Sequence, residues 1–372
     1  MRVAQVNYAF DARLRNAAAL LDRYTTLTAW NDAIAGVAAD MEVVTLQQFH
    51  SPADMTRGAV RYVFGDFLTI ARAAARFEPH LVHVNGLGFP LRTWLLRRPL
   101  PAATALVVQD HASGDPGDAA AAKNAVRRSL MRPIDAFLFS AQEQADAWRR
   151  ARLIAPAQSV HAVMEASTTI APLSREEARS GSGVTGAPAI LWVGRLNANK
   201  DPLTVLDALE RAITELPSAT LTMVYHEWEL LSDVRDRVRT SSVLAERVRL
   251  VGAVPHDRMA AFYSAADLFV AGSHHEGSGY AVIEAMACGA IPVVTDIPSF
   301  RALTGGGSAG TLWTPGDASA CARALVDVAS RDLSAERQRV LDHFQRELTW
   351  EAIGKRAVAI YRDLVDRKRA KG

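Results

Sequence analysis

Short apolar runs alternate with longer amphipathic ones along almost the whole chain. Val3–Val6, Glu42–Leu46, Leu81–Val84, Ala105–Val108, Ala136–Phe139 and Val160–Val163 have the length and composition of strands. Between them, Gly58–Arg76, Ala119–Met131 and Gln142–Arg150 carry helical periodicity. The strands are continuous apolar runs, not alternating ones. That pattern predicts strands covered on both faces, as in a parallel sheet between layers of helix. Repeated β-α-β units imply right-handed crossovers and a doubly wound layer.

The rhythm breaks at STTIAPLSREEARSGSGVTGAP, residues 167–188, which is rich in Ser, Thr, Gly and Pro and poor in large apolar residues. It reads as a linker. The pattern restarts with strands at Ala189–Val193, Thr220–Tyr225, Val248–Val251, Leu268–Val270 and Ile291–Val294. Helices are expected near Pro202–Leu216, Glu229–Thr240, Arg258–Ala265 and Gly279–Cys288. The fold class is therefore α/β with two similar doubly wound halves, residues 1–168 and 189–349, joined by a linker at 169–188. Two such halves create a cleft, and ligands of open parallel sheets bind beyond the carboxyl ends of the strands. A last segment, Trp350–Arg369, is amphipathic, with Ala352, Ile353, Ala357, Ile360, Tyr361 and Leu364 at helical spacing. Spacing alone leaves open which domain it covers.

Composition narrows the function classes. With 372 residues the chain can build a large core. The formal net charge of +2 lacks the clustered basic excess of a nucleic-acid binder. Two cysteines, Cys288 and Cys321, build no disulfide framework, and no Cys/His pair has zinc-like spacing. The amino-terminal MRVAQVNYAFDARLR turns charged too soon for a secretory signal. No apolar run approaches the roughly 20 residues needed to span a bilayer. The expected location is the cytoplasm, or the inner face of the membrane. Arg92, Arg97, Arg98, Lys123, Arg127, Arg128 and Arg132 cluster in the first half with Trp94 and Leu95. They read as a solvated helical face, with peripheral membrane contact as the alternative.

Candidate chemistry sits where strands end. In LWVGRLNANKDP, Gly194 permits a turn, Asp201 suits an N-cap and Pro202 the first helical position. Arg195 and Lys200 project from that turn, where two cations fit a diphosphate. They are equally read as solvated loop cations. In HHEGSGYAVIEAMACG, Gly277 and Gly279 allow close backbone approach. Glu276 precedes a helix start. Glu284 lies among apolar residues and needs a partner, because unpaired burial of a carboxylate is costly. Ribose hydroxyls or a donor from the protein would both serve. In the first half, Asn85 and Gly86 follow one strand, and Asp110 and His111 follow another.

The joint pattern of strand, Arg195, Lys200, Glu276-X7-Glu284 and a terminal helix resembles the retaining GT-B glycosyltransferases of family 4. RVRLVGAVPHDRMAAFYSAADLFVAGS, residues 247–273, and TWEAIGKRAVAIYRDL, residues 349–364, share in the resemblance. It implies that the closing helix crosses back to the first domain, which would then comprise 1–168 and 350–372. It also implies a sugar nucleotide as donor and a glycan, lipid-linked sugar or small molecule as acceptor. Arg195 and Lys200 would bind the diphosphate, Glu276 and His111 the donor sugar, and Glu284 the ribose. Gly194, Gly277, Ser278, Gly279 and Tyr280 would line the donor, while Asn85, Gly86 and Asp110 would meet acceptor or sugar. The leaving phosphate would take the acceptor proton, so no protein base, cofactor or metal is expected, and no Asp-X-Asp pair occurs.

Two stretches depart from the family pattern. No glycine lies between Met1 and Asp32, where a Gly-Gly loop is usual, and Tyr225, His226 and Glu227 stand where a Gly-X-Gly turn is common. They motivate a rival reading, a non-catalytic GT-B module that binds sugar nucleotides or a partner enzyme. A Rossmann oxidoreductase is a second rival, although no Gly-X-Gly-X-X-Gly follows a strand. Thermal melts with NAD and with UDP-sugars separate these classes. A ligand at 100 times its Kd adds about 2.7 kcal/mol of stability. Stabilisation by a UDP-sugar is expected, and stabilisation by NAD alone contradicts the transferase reading.

Overall fold

The computed structural model describes residues 1–111, 114, 116 and 121–370. The chain divides into two compact units, one of Met1–Ala166 with Trp350–Gly372, the other of Ser167–Thr349.

The first unit is built on eight strands: β1 (Arg2–Asn7), β2 (Glu42–Gln48), β3 (Ala53–Arg57), β4 (Val60–Gly65), β5 (Leu81–Asn85), β6 (Ala105–Gln109), β7 (Ala136–Phe139) and β8 (Ser159–Ala162). Their order is β3-β4-β2-β1-β5-β6-β7-β8, parallel except for β3, which pairs antiparallel with β4. Central strands such as β6, ALVVQ, are buried at every position, which is why their sequence does not alternate. The expected helix at Gly58–Arg76 is a correction: its first part is β4, and the helix runs Phe67–Phe77 from an Asp66 cap.

The helix Trp350–Arg369 belongs to this unit and packs on the helix Thr25–Val37. Its Tyr361 is fully buried and its hydroxyl accepts from Gln5 Nε2 at 3.2 Å. The same hydroxyl hydrogen-bonds His83 Nδ1 in β5. A polar knot of three buried side chains thus ties this helix to the middle of the sheet.

The second unit holds six parallel strands: β9 (Ala189–Gly194), β10 (Thr220–Tyr225), β11 (Val248–Gly252), β12 (Leu268–Ala271), β13 (Ile291–Thr295) and β14 (Thr311–Trp313). Their order is β11-β10-β9-β12-β13-β14. The order reverses around β9, so the turns after β9 and β12 lie side by side, at the switch point where such sheets bind ligands. The expected linker at 169–188 is also corrected. It contains a helix, Arg175–Ser182, which packs on the helix Met259–Ala265. Ser174 caps it, Glu176 and Glu177 occupy its first turn, and Gly183 ends it in the left-handed conformation.

Burial pushes the His83 imidazole pKa down to about 3, and the charge of His111 adds to the effect. The unfolded chain would protonate this residue near its ordinary value of about 6.5. The unfolded state therefore binds more protons across that window, and the first unit loses stability as pH falls from about 6.5 toward 3. Urea titrations read through hydrogen exchange of β1 and β5 amides should show the loss between pH 6.5 and 4.5. His83→Gln should flatten that slope, and an unchanged slope would assign it to other groups.

Candidate active site

The candidate donor site lies in the second unit, on the turns that follow β9 and β12. The first turn carries Arg195 to Asp201. Asp201 is left-handed, with φ of 44°, and its side chain accepts from Thr204 N at 3.3 Å, starting the helix Pro202–Ala212. The second turn carries Gly272 to Gly279. Three hydrogen bonds stitch the two together: His274 N to Asn199 O at 2.9 Å, His275 N to Asn199 Oδ1 at 3.0 Å, and Asn199 Nδ2 to His275 O at 3.1 Å. Gly272 makes the approach possible, since a β-carbon there would sit 2.9 Å from Asp201 O.

This stitching brings Lys200 Nζ onto Glu276 Oε1, the pair being only 19% and 14% exposed. Ser273 Oγ donates to the same carboxylate oxygen at 2.7 Å. An ammonium has three donors, so the ion pair leaves Lys200 capacity for a further acceptor. Arg195 is half exposed and stands 3.8 Å from Glu227, a loose surface pair of little energetic weight. Gly194 lies beneath, against the Trp192 ring. Ser278 is half-buried and Tyr280 is exposed. The helix Tyr280–Ala287 starts at Gly279, with φ of 70° and no side-chain cap, so its first amides are not used by a capping side chain.

Glu284 is one helical turn deeper and 4% exposed. Tyr263 donates to its Oε2 at 2.8 Å, and His256 Nε2 meets its Oε1 at 2.7 Å. The partner that a buried carboxylate requires is therefore a protein donor on each oxygen. His256 itself is largely exposed, with 70% of its side chain accessible. Burial raises the Tyr263 pKa well above its ordinary value, and the charge of Glu284 adds to that, so the phenol stays a donor.

In the first unit, the carboxyl edge of the sheet gathers Asn85, Gly86, Asp110 and His111. Asn85 Nδ2 donates to Asn7 Oδ1 at 2.7 Å, and its Oδ1 lies 3.1 Å from His111 Nε2. Gly86, with φ of 98°, donates to Gln109 O at 2.8 Å. His111 Nδ1 meets the buried Glu165 carboxylate at 2.5 Å. Burial works against a charged ring, but the hydrogen bond and charge of Glu165, helped by Asp110, prevail and raise the His111 pKa. The ring is thereby oriented, with Nδ1 engaged and Nε2 turned toward Asn85.

The departures from the family pattern also have definite places. Tyr8, after β1, is buried between Phe67 and Phe89. Tyr225 is buried, while Glu227 reaches Arg195 and Trp228 is 67% exposed. Asn199, Ser273, Gly272, Glu165, His256 and Tyr263 complete the arrangement and were not singled out by sequence. Only Gly272 carried a local signal, a glycine directly after a strand.

Residues 187–331 match the family described as group 1 glycosyl transferases. The matched segment, under half of the chain, is similar to that family. It includes Gly194, Arg195, Lys200, Glu276 and Glu284. The chain is 30% identical over 161 residues to a GDP-mannose:cellobiosyl-diphosphopolyprenol alpha-mannosyltransferase of Xanthomonas campestris, covering 42% of each chain. The match thus spans less than half of that relative's length. A D-inositol 3-phosphate glycosyltransferase 1 of Catenulispora acidiphila is 26% identical over 85% of this chain and 79% of its own. Among solved structures, Anabaena HepE in complex with UDP superposes with a TM-score of 0.72 at 15% identity, over 98% of this chain and 100% of that one. The likeness is one of fold, two Rossmann-like α/β domains of GT-B type. Among the described residues, no group of three or more His, Cys, Asp or Glu is placed to hold a metal ion, and no helix is long and apolar enough to cross a membrane.

The Glu165–His111 pair is directly testable. In Glu165→Gln the raised His111 pKa should fall, read as a displaced histidine titration by NMR. An unchanged titration would mean that the pair does not set the ring's charge.

Proposed function

We propose that this protein transfers a sugar from a nucleotide diphosphate donor to a hydroxyl-bearing acceptor, with retention of anomeric configuration. The observation that carries the reading is the shielded Lys200–Glu276 pair beside the uncapped start of the helix Tyr280–Ala287. A cation and backbone amides at a helix start suit a diphosphate, and a carboxylate suits sugar hydroxyls.

Lys200 and Arg195 bind the diphosphate and stabilise the charge that grows on it as the glycosidic bond breaks. Amides of Gly277–Tyr280 and the turn at Gly194 lie along phosphate and sugar, and Ser278 and Tyr280 help select the sugar. Glu276 accepts from donor sugar hydroxyls. Glu284 takes the ribose hydroxyls, with Tyr263 holding one oxygen fixed and the exposed His256 giving way at the other. His111, oriented by Glu165, hydrogen-bonds a sugar hydroxyl, and Asn85, Gly86 and Asp110 line the acceptor side. The leaving phosphate oxygen takes the acceptor proton, so neither a protein base nor a metal is required. HepE binds UDP and the Xanthomonas relative is named for GDP-mannose, which supports a nucleotide-linked donor without choosing its base. The acceptor is a glycan, a lipid-linked sugar or a small metabolite.

A panel of UDP-, GDP- and ADP-sugars in EDTA, scored for binding and slow donor hydrolysis, tests this reading. One donor should bind and turn over, and its product should keep the donor's anomeric configuration. Lys200→Ala should retain the circular dichroism of the parent and lose about 10²–10³ in rate, the usual effect of removing one charge-stabilising donor. Binding without turnover under any acceptor mixture would favour the non-catalytic module, and full turnover by Lys200→Ala would remove that residue from the site.

A further inference from the structure

The basic side chains grouped by sequence in the first unit do not form one patch. Arg92 lies over the Tyr8 and Phe89 rings. Arg97 donates to the carbonyls of Leu100, Pro101 and Ala102. Arg98 covers Trp94, and Arg127 lies over Trp148. Packing and capping account for these four.

Arg128 and Arg132 have a different setting. With Arg149 and Arg152 they line a cavity of about 790 Å³, alongside the apolar Leu153 and Ile154. The cavity lies by the segments that lead into β7 and β8, at the amino-terminal edge of the sheet. Asn85 and His111 sit at its carboxyl edge, so the cavity is separate from the candidate site.

Its charge is unbalanced. Arg149 pairs with Asp146 at 3.1 Å. Arg128 Nε donates to Arg152 O at 2.9 Å, which fixes its fork beside the loop. Among the described residues, Arg128, Arg132 and Arg152 form no ion pair with a carboxylate. Two helices end here, Ala121–Met131 and Asp146–Arg150, and each carboxyl end offsets at most about half a charge. Four arginines against one aspartate and two helix ends leave a surplus of about two positive charges.

The backbone adds an independent sign. Arg152 follows the second helix with φ of 55°, in the left-handed region, and its amide closes the helix onto Arg149 O at 2.9 Å. Glycine usually fills that position because a β-carbon is penalised there. An arginine held in such a conformation points to a use for its side chain, and strain of this kind gathers at ligand clamps.

We propose that this cavity is a second anion site, which takes a compact molecule bearing a diphosphate. Guanidinium forks match phosphate oxygens two at a time. The volume lies within the roughly 300–1,000 Å³ of small-molecule pockets. A concave site suits a discrete ligand better than the flat surface of a bilayer.

The test uses the full chain, with inorganic pyrophosphate as probe. Arginines are labelled with phenylglyoxal and mapped by mass spectrometry, with and without the probe. Labelling of Arg132 and Arg152 should slow about tenfold, as expected for charge-assisted hydrogen bonds to each fork. Arg61, an exposed arginine elsewhere in the unit, should label at an unchanged rate. Lys200→Ala, which disables the candidate donor site, should keep the protection. Arg132→Ala/Arg152→Ala should weaken pyrophosphate protection of Arg128 by about tenfold or more. The proposal is overturned if pyrophosphate protects none of these arginines, or protects Arg61 equally. It is also overturned if Lys200→Ala abolishes the protection, or if only phosphatidylglycerol vesicles produce it.

Discussion

The absence of a side chain at Gly272 holds the candidate donor site together. With a β-carbon there, the turn after β12 would collide with the backbone of Asp201. Without one, Asn199 reaches His274 and His275, and two loops from different β-α units become one platform. Lys200 and Glu276 then meet in partial burial. Each would be costly alone in that setting, because a half-desolvated charge needs a partner. Mutual neutralisation keeps both charged groups poised without a ligand.

Much of the fold was legible because its central strands are covered on both faces. β7 and β10 lie at Ala136–Phe139 and Thr220–Tyr225, where their apolar runs predicted them. The misreadings share a cause, weak or ambiguous burial. In β4, VRYVFG, the burial pattern is mixed, and apolar positions resume directly after Gly65 and Asp66 in the helix that begins at Phe67. Such a run satisfies a period of two and a period of 3.6 at once. The helix Arg175–Ser182 buries only Ala178 and Ser182, so it leaves almost no hydrophobic trace. Its Ser174 cap, first-turn acids and Gly183 were the legible signals, and they were outweighed by the surrounding small residues.

The site was legible where its residues are neighbours in sequence, and obscure where they are not. Glu276 and Glu284 share one turn and helix, and Arg195 and Lys200 share one loop. Their partners come from elsewhere. Glu165 lies 54 positions after His111, and His256 lies 28 before Glu284. No spacing rule reaches that far. The consequence for Glu284 is substantive: its need for a donor was plain from the apolar helix, but which donor meets it depends on how the turn at His256 comes to lie over that helix.

The knot of Gln5, His83 and Tyr361 couples distant parts of the chain in time as well as in space. Strands β1 and β5 leave the ribosome before any of the second unit, yet the hydroxyl that joins them arrives only after residue 349. Domains generally complete themselves in the order of synthesis. Here the order inverts: the unit begun first is closed last, after the intervening one has had its whole sequence available. Until then Gln5 and His83 await their shared partner, and the sheet face beneath the last helix stays open to whatever else can cover it.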